Sequence, residues 1–299
     1  LFGARSGIFQ DPSLDALAPE LVQLQLSSKA DATISKYASS WCKWRTWANS
    51  KIDVPVLPAQ PVHVALYLTE LFQSAMDKGI GASVLEAATY AIRWRHQMAG
   101  FQQCPTDHSV VKSCLEGAKR RLGRPVQPKE PLSLDLVVKI CDKDVGSSVL
   151  SDIRFLGALS IGYGGFLRVD EIQALKVEDI AIFKDHMSIT IHKRKNDQFR
   201  EGHTILLARS GKTTCPVSIT AKLLELLEVY SPSYPLIRRI VKSKFKEHFH
   251  ASLGISSSRM REEFKSHVKP FVVNLKDFSM HSIKSGAASN PGVSKALGL

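Results

Sequence analysis

The first third of the chain repeats apolar residues at helical spacing. From Ala32 onward, one residue in every three or four is apolar, and these residues form a helix face of Ile34, Tyr37, Trp41, Trp44 and Trp47. Prolines end this helix and introduce the next, whose apolar positions are Val64, Leu66, Leu68, Leu71 and Phe72. Two more helices are predicted, from Ser83 to Met98 and from Ser109 to Leu122. Residues 1–28 are predicted to be a lead-in with a short helix around Leu17–Leu26.

A segment rich in proline and charge then interrupts the helical pattern. Residues 124–131 read RPVQPKEP, which predicts an extended interdomain linker. We therefore predict a helical domain over residues 29–123 and a second domain over residues 132–299. Ser133 is a candidate N-cap for the first helix of the second domain, because apolar residues lie just inside that helix.

The second domain mixes helices with one strand pair. A mostly buried helix is predicted from Ser151 to Leu167. Alternation of Met187, Ile189 and Ile191 with polar residues predicts a half-buried strand, and a second strand near His203–Ala208 follows the polar turn KRKNDQFREG. Pro216 opens a leucine-rich helix to about Tyr230, and basic helical segments are predicted from there to Leu299. The fold class is therefore mainly α with a small β-hairpin or sheet (α+β).

Composition narrows the range of partners. Hydrophobic residues make up 44% and charged residues 23%, which is typical of a folded globular chain. The formal net charge of +12 favours a polyanionic partner such as nucleic acid, although such a charge can also serve only solubility. The five cysteines form no CxxC pair, so neither a disulfide framework nor a zinc site is predicted. No apolar run approaches the length of a membrane span, and no secretion signal is evident.

The most informative segment is GYGGFLRVDE, residues 162–171. A phosphate-cradling glycine loop is a poor interpretation, because no strand precedes the segment and the spacing of such loops is absent. The alternative is an arginine, Arg168, on a turn between two helices, with Glu171 holding its guanidinium. Such a pair can be merely structural. Arginine also suits phosphate, since its planar fork donates two hydrogen bonds to phosphate oxygens.

Two further segments carry candidate residues. Lys195 lies in the polar hairpin turn with Arg200 close by, although a basic turn is more often only solvated. In the segment HSIKSGAAS, His281 and Lys284 would share one face of a helix and could reach one anion. Each of these signals is weak by itself.

The three segments in this order resemble the active site of tyrosine recombinases of the phage-integrase family. The sequences RKNDQFREG and TCPVSITAKLLELL are similar to integrases of eukaryotic mobile elements of the DIRS and Crypton type. The helix TISKYASSWCKWRTW resembles the helical core-binding (SAM-like) domain of the family. The resemblance extends from about Thr33 to Leu299. It implies a core-binding domain followed by a tyrosine-recombinase catalytic domain.

The resemblance also implies a mechanism and a partner. In the family, two domains clamp double-stranded DNA without metal or cofactor and act as a tetramer on paired sites. Arg168 would be the first phosphate-binding arginine, Lys195 the general acid, His281 the assisting histidine, and Glu171 the support for Arg168. Positioned cations would stabilise the phosphorane-like transition state, and the acid would protonate the leaving oxygen. The expected location is the nucleus.

The sequence departs from the family pattern in two ways. Lys284 occupies the position of the second arginine, so charge is kept but the planar fork is lost. The tyrosine nucleophile of the family would follow this helix, and no tyrosine follows it before Leu299. We therefore expect these 299 residues not to cleave DNA and to be monomeric in solution. A host-adopted DNA-binding protein that lost catalysis is the alternative, and a helical protein–protein adaptor is a third interpretation.

Basic residues outside the active-site segments are candidates for DNA contact. One group lies at the end of the fourth helix and in the linker, a second flanks Trp94, and a third lies on the Trp41 helix. A basic run beginning at Arg238 is more ambiguous. Any such run can be only a solvated surface. The predicted DNA-binding residues are Lys43, Arg45, Arg93, Arg95, Lys119, Arg120, Arg121, Arg124 and Arg200.

Overall fold

The computed structural model describes residues 11–125, 127–192, 202–227, 231–243 and 246–290. The chain divides into two compact units, Leu1–Val126 and Gln127–Leu299. Within the described ranges, no helix is both long enough and apolar enough to cross a membrane.

The regular elements among the described residues of the N-terminal unit are all helices, as predicted. Helix α2 packs on α4, and α3 packs on α5. Helix α1 begins earlier than the sequence predicts, because the Asp11 carboxylate accepts a hydrogen bond from the Ser13 amide at 2.8 Å. The helices are α1 (Pro12–Ser27), α2 (Asp31–Asn49), α3 (Pro61–Asp77), α4 (Ser83–Met98) and α5 (Ser109–Leu122).

Tryptophan and histidine side chains organise the core of the N-terminal unit. Trp44 is fully buried, and its indole N–H donates to the carbonyl of Val56 at 3.1 Å. His96 is also fully buried: its Nε2 accepts from the Ala59 amide at 2.9 Å, and its Nδ1 lies 2.7 Å from the Ile92 carbonyl. Together these bonds tie the segment between α2 and α3 to α2, through Trp44, and to α4, through His96.

The C-terminal unit combines α-helices with more strands, among its described residues, than the sequence predicts. Ser133 caps its first helix as predicted, since its hydroxyl accepts from the Leu136 amide at 3.2 Å. The elements are α6 (Leu134–Asp144), α7 (Leu150–Gly164), α8 (Val169–Ala174), β1 (Ile180–Ile182), β2 (His186–Ile191), β3 (His203–Ala208), α9 (Pro216–Leu226), β4 (Arg238–Lys242), β5 (Glu247–Gly254), α10 (Ser257–Val268) and α11 (His281–Ser289).

Helix α7 is the centre of the C-terminal unit. Every residue from Ile153 to Gly164 is buried, which confirms the predicted buried helix. Small residues permit the close packing: a Cβ on Gly157 would lie 2.7 Å from Leu223 of α9. The helix therefore has neighbours on all sides, and its C-terminal end sets the position of whatever follows it.

The three-stranded antiparallel sheet has the order β1-β2-β3. Met187, Ile189 and Ile191 are buried, which confirms the predicted inward face of β2. Strand β1 was not predicted, because three residues are too few for an alternating pattern to be recognised. It pairs with β2 in the register Ile180 to Ile189.

The prediction of only helical segments beyond α9 is wrong. Strands β4 and β5 form an antiparallel pair with Ile240 opposite Phe249. Arg238 belongs to this hairpin and not to a basic surface, because it is fully buried. Its guanidinium donates to the carbonyls of Pro235 at 2.9 Å and Leu227 at 3.1 Å. The cationic side chains had suggested a helix face, whereas cross-strand pairing determines the structure.

Candidate functional site

The turn after α7 positions Arg168. Gly165 leaves room for the chain to reverse, since a Cβ there would lie 2.9 Å from the Ile161 carbonyl oxygen. Phe166 takes the left-handed conformation at φ 54°, and the Leu167 amide donates to the Gly162 carbonyl at 2.9 Å. Arg168 then stands at the N-cap position of α8. The segment GYGGFLRVDE therefore contains the turn between α7 and α8 and is not a phosphate-binding glycine loop.

Glu171 holds Arg168 through both of its carboxylate oxygens. One oxygen accepts the Arg168 backbone amide at 2.7 Å, and the other accepts the guanidinium Nη1 at 3.1 Å. The Glu171 side chain is 5% exposed, whereas that of Arg168 is 30% exposed. The remaining guanidinium N–H groups have no partner among the described residues. Arg168 is thus oriented from one side and can donate to an anion from the other.

Helix α11 packs on the same end of α7 as α8 does. A Cβ on Gly162 would lie 2.5 Å from Ile172 of α8 and 3.3 Å from Ile283 of α11. Ile283 is buried, whereas His281 is exposed and Lys284 is half-buried. The structure therefore places the element carrying Arg168 next to the element carrying His281 and Lys284. These segments are more than a hundred residues apart in the chain.

Backbone contacts fix α11 in place. Gly286 lies directly against Leu132, since a Cβ there would be 2.0 Å from the Leu132 carbonyl oxygen. The Leu132 amide donates to the Ser282 carbonyl at 2.8 Å, and the Tyr163 hydroxyl donates to the Leu132 carbonyl at 3.1 Å. Burial raises the pKa of Tyr163, so its hydroxyl stays protonated and available as a donor.

The predicted general acid Lys195 lies outside the described residues, as does Arg200. The strands that carry this turn are described, and Ile191 of β2 stands opposite His203 of β3. Next to the turn is a pair that sequence reasoning missed. His192 Nε2 lies 2.8 Å from a carboxylate oxygen of Asp179, which is almost completely buried. Sequence spacing could not have suggested this pair, because Asp179 precedes β1, His192 follows β2, and only the pairing of these two strands brings them together.

The candidate DNA-contact residues of the N-terminal unit differ in their availability. Lys119 pairs with Glu86, and Arg93 pairs with Asp107. Two other arginines lie over aromatic rings, Arg95 over Trp41 at 5.8 Å and Arg121 over Phe72 at 4.6 Å. Burial, followed by repulsion from Arg45, lowers the pKa of Arg95. Four others are exposed with no ion pair among the described residues: Lys43, Arg45, Arg120 and Arg124.

The described residues contain no group of three or more histidine, cysteine or acidic side chains that could hold a metal ion. The side chains that line the site are basic. Arg168 is held by a carboxylate on one side, and a histidine and a lysine lie on the neighbouring helix. Such a set suits an oxyanion, because fixed hydrogen-bond donors and positive charges stabilise it without reorganisation.

Comparisons with known proteins give a structural answer only. No family model matches the sequence, and no curated protein matches it. A site-specific recombinase, XerH, bound to palindromic difH substrate in a post-cleavage complex, is similar with a TM-score of 0.55 and 14% identity. The match covers 89% of this chain and 72% of that one.

Two structures of lambda integrase are also similar. A tetramer bound to a Holliday junction has a TM-score of 0.51 and 16% identity, covering 98% of this chain and 79% of that one. A dimer of residues 75–356 bound to a COC′ core site has a TM-score of 0.50 and 15% identity, covering 96% and 94%. Three such matches over most of the chain agree with the α+β architecture described above. This chain has the fold of the tyrosine recombinases and integrases.

Proposed function

We propose that this chain binds double-stranded DNA as a site-specific recombinase of the integrase type does, with the scissile phosphate held at Arg168. The observation that carries the proposal is the packing of α8 and α11 on one end of α7. This packing places Arg168, oriented by Glu171, next to the helix of His281 and Lys284. The similar recombinases were solved with DNA, which supports the same partner here.

In the cleavage reaction that the resemblance implies, each cation would have a separate task. Arg168 would donate to the non-bridging oxygens and neutralise the negative charge that develops on them. Lys284 would add a point charge, and His281 would assist proton movement. Lys195 would protonate the departing 5′ oxygen. Because lysine lacks the planar fork of arginine, Lys284 orients the phosphate less strictly than arginine would.

The reaction of the family needs a tyrosine that attacks phosphorus to form a 3′-phosphotyrosyl bond. All six tyrosines of this sequence precede His281, and none occupies the family's nucleophile position. We therefore propose that these 299 residues bind DNA without cleaving it. A nicked suicide substrate tests this: we expect no covalent adduct after denaturing electrophoresis, and a phosphotyrosyl adduct would refute the proposal.

The origin and location of the protein form part of the same proposal. The resemblance to DIRS and Crypton integrases favours a mobile-element integrase that acts in the nucleus. Lys284 favours the alternative, a host-adopted DNA-binding protein that kept the fold without catalysis. Lys284→Arg distinguishes them if activity is measured with a polypeptide supplying the tyrosine. An integrase with a working site gains or keeps cleavage, whereas a site that has decayed elsewhere stays inactive.

The exposed basic residues of the N-terminal unit are proposed to contact phosphates. Fluorescence anisotropy on duplex DNA across a salt series tests this. Replacing Arg120 and Arg124 by glutamine should lower the slope of log K against log salt by about 0.9 for each phosphate that is no longer neutralised. Arg93→Gln is the comparison, and we expect a smaller change because Asp107 already neutralises Arg93. An unchanged slope in the double variant would contradict a role of these two arginines in binding phosphate.

A further inference from the structure

At the end of β2 lies a histidine that is held by a buried carboxylate. His192 directly follows β2, and its Nε2 lies 2.8 Å from Oδ1 of Asp179. The other oxygen of Asp179 accepts the Lys176 amide at 2.8 Å. The Asp179 side chain is 4% exposed, whereas that of His192 is 70% exposed. One side of the imidazole is thus fixed to the protein, and the rest faces solvent.

Fixing Nε2 determines what the other ring nitrogen can do. A carboxylate only accepts hydrogen bonds, so Nε2 must carry the proton. Nδ1 has no partner among the described residues. If Nδ1 also carries a proton, the ring is an imidazolium that presents one N–H outward in a fixed direction. A carboxylate that orients a histidine in this way is a common means of aiming its second nitrogen.

The charges around His192 are compatible with an anion at Nδ1. Asp179 already accepts hydrogen bonds through both of its oxygens. On the same short turn, Glu178 is neutralised by the Lys176 ammonium at 3.0 Å. On the neighbouring strand, the nearest titratable group is the exposed His203. In sequence, the residues that follow His192 in the turn begin with Lys193, Arg194 and Lys195.

We propose that His192, aimed by Asp179, is a DNA phosphate-binding residue at the edge of the active site and that it donates through Nδ1 only when the ring is protonated. This rests on the proposed function, since the phosphate belongs to the DNA held at Arg168. Because both nitrogens donate in the bound state, phosphate binding requires the imidazolium form. An imidazole loses that form as pH rises, so affinity for DNA falls with rising pH.

The same strand supplies a matched control. His186 begins β2, and its Nδ1 lies 2.8 Å from Asp185. That carboxylate is 84% exposed, and the His186 ring is stacked on Phe183 at 4.6 Å. His186→Gln therefore removes a histidine–aspartate pair from the other end of β2, away from the turn that carries Lys195.

The experiment measures duplex DNA affinity by fluorescence anisotropy at pH 6 and pH 8 for four proteins. We expect the unaltered chain to lose about tenfold in affinity from pH 6 to pH 8. His192→Gln should be about tenfold weaker than the unaltered chain at pH 6 and equal to it at pH 8. His192→Arg should bind tightly at both values, and His186→Gln should behave as the unaltered chain does.

The outcomes separate this inference from the proposed function. If the unaltered chain binds DNA and His192→Gln keeps its full pH dependence, the inference is wrong and the proposed function stands. A second contrary outcome is that His192→Arg fails to restore binding at pH 8 although circular dichroism shows that it unfolds as the unaltered chain does. In that case the ring is structural and the inference is again wrong. If no protein binds duplex DNA at either pH, the proposed function itself fails and the inference falls with it.

Discussion

At the scale of single residues, the Arg168–Glu171 pair shows how far sequence reasoning can reach. Two residues three apart at the start of a helix can be predicted to meet, and here they do. The additional bond from the Arg168 amide to Glu171 completes a capping box at the start of α8. The His192–Asp179 pair was missed, since only the folded sheet brings its members together.

Glu171 should matter for stability as well as for binding. Glu171→Gln replaces an acceptor by an N–H donor that faces Arg168, in a place where water cannot compensate. We expect the C-terminal unit to lose about 1–3 kcal/mol of unfolding free energy and DNA binding to weaken. Urea unfolding followed by circular dichroism measures the first effect. Asp170→Asn is the control, because Asp170 is adjacent and exposed; equal losses in both variants would contradict the role of Glu171.

His96 makes the N-terminal unit sensitive to acid. Burial lowers the pKa of His96, although the bond to the Ile92 carbonyl opposes this. The folded state therefore binds fewer protons than the unfolded state, so stability is full above the unfolded pKa of about 6.5 and falls as the pH drops below it. Because all four tryptophans lie in this unit, tryptophan fluorescence reports its unfolding.

The expected result is a lower urea midpoint at pH 5.5 than at pH 7.5. In His96→Gln the midpoint should be lower at both pH values, because the Ala59 amide loses its acceptor, and the difference between them should shrink. A pH dependence that persists unchanged in this variant would assign the effect to other groups.

At the scale of elements, the sequence predicted helices better than strands. The bounds of α4 and α5 agree with the prediction, because local periodicity and capping decide them. Strand β1 and the β4–β5 hairpin were missed. These strands are stabilised by pairing with β2 and with each other, respectively, and the local hydrophobic pattern does not reveal such pairing. Basic side chains in β4 and histidines in β5 concealed the apolar residues Ile240 and Phe249, which lie opposite each other in the hairpin.

Helix α11 tests whether close backbone packing positions the site. Gly286→Ala would place a methyl group 2.0 Å from the Leu132 carbonyl oxygen, so the helix must move away. We expect a loss of about 1–3 kcal/mol in the C-terminal unit, together with weaker DNA binding. Ser285→Ala, on the same helix, should change stability by less than about 0.5 kcal/mol. A Gly286→Ala variant as stable as Ser285→Ala would mean that α11 is not held in this way.

At the scale of the whole molecule, the fold and the net charge are independent observations, and both support the proposed DNA partner. The formal net charge of +12 alone left solubility as an explanation. The fold alone is shared by proteins with different targets, so it cannot define the function. The site connects the fold with the charge. Arg168 is partly exposed and held by a carboxylate, its other guanidinium N–H groups have no partner in the part of the chain that the structure describes, and the neighbouring helix carries a histidine and a lysine. The resemblance of the ordered motifs to a recombinase active site predicted that the Arg168 and His281–Lys284 segments lie together, whereas Lys195 lies outside the described residues.

The most direct measurement compares duplex DNA binding of Arg168→Ala with that of Arg261→Ala in the same salt series. Arg261 is exposed on α10, and among the described residues its guanidinium donates to the Ser257 carbonyl at 3.1 Å. Its replacement therefore removes the same charge from a position outside the candidate site. We predict that Arg168→Ala loses about tenfold to a hundredfold in affinity, the value of one charge-assisted hydrogen bond to phosphate, whereas Arg261→Ala binds as the unaltered chain does. Equal affinity of both variants would contradict a phosphate site at Arg168.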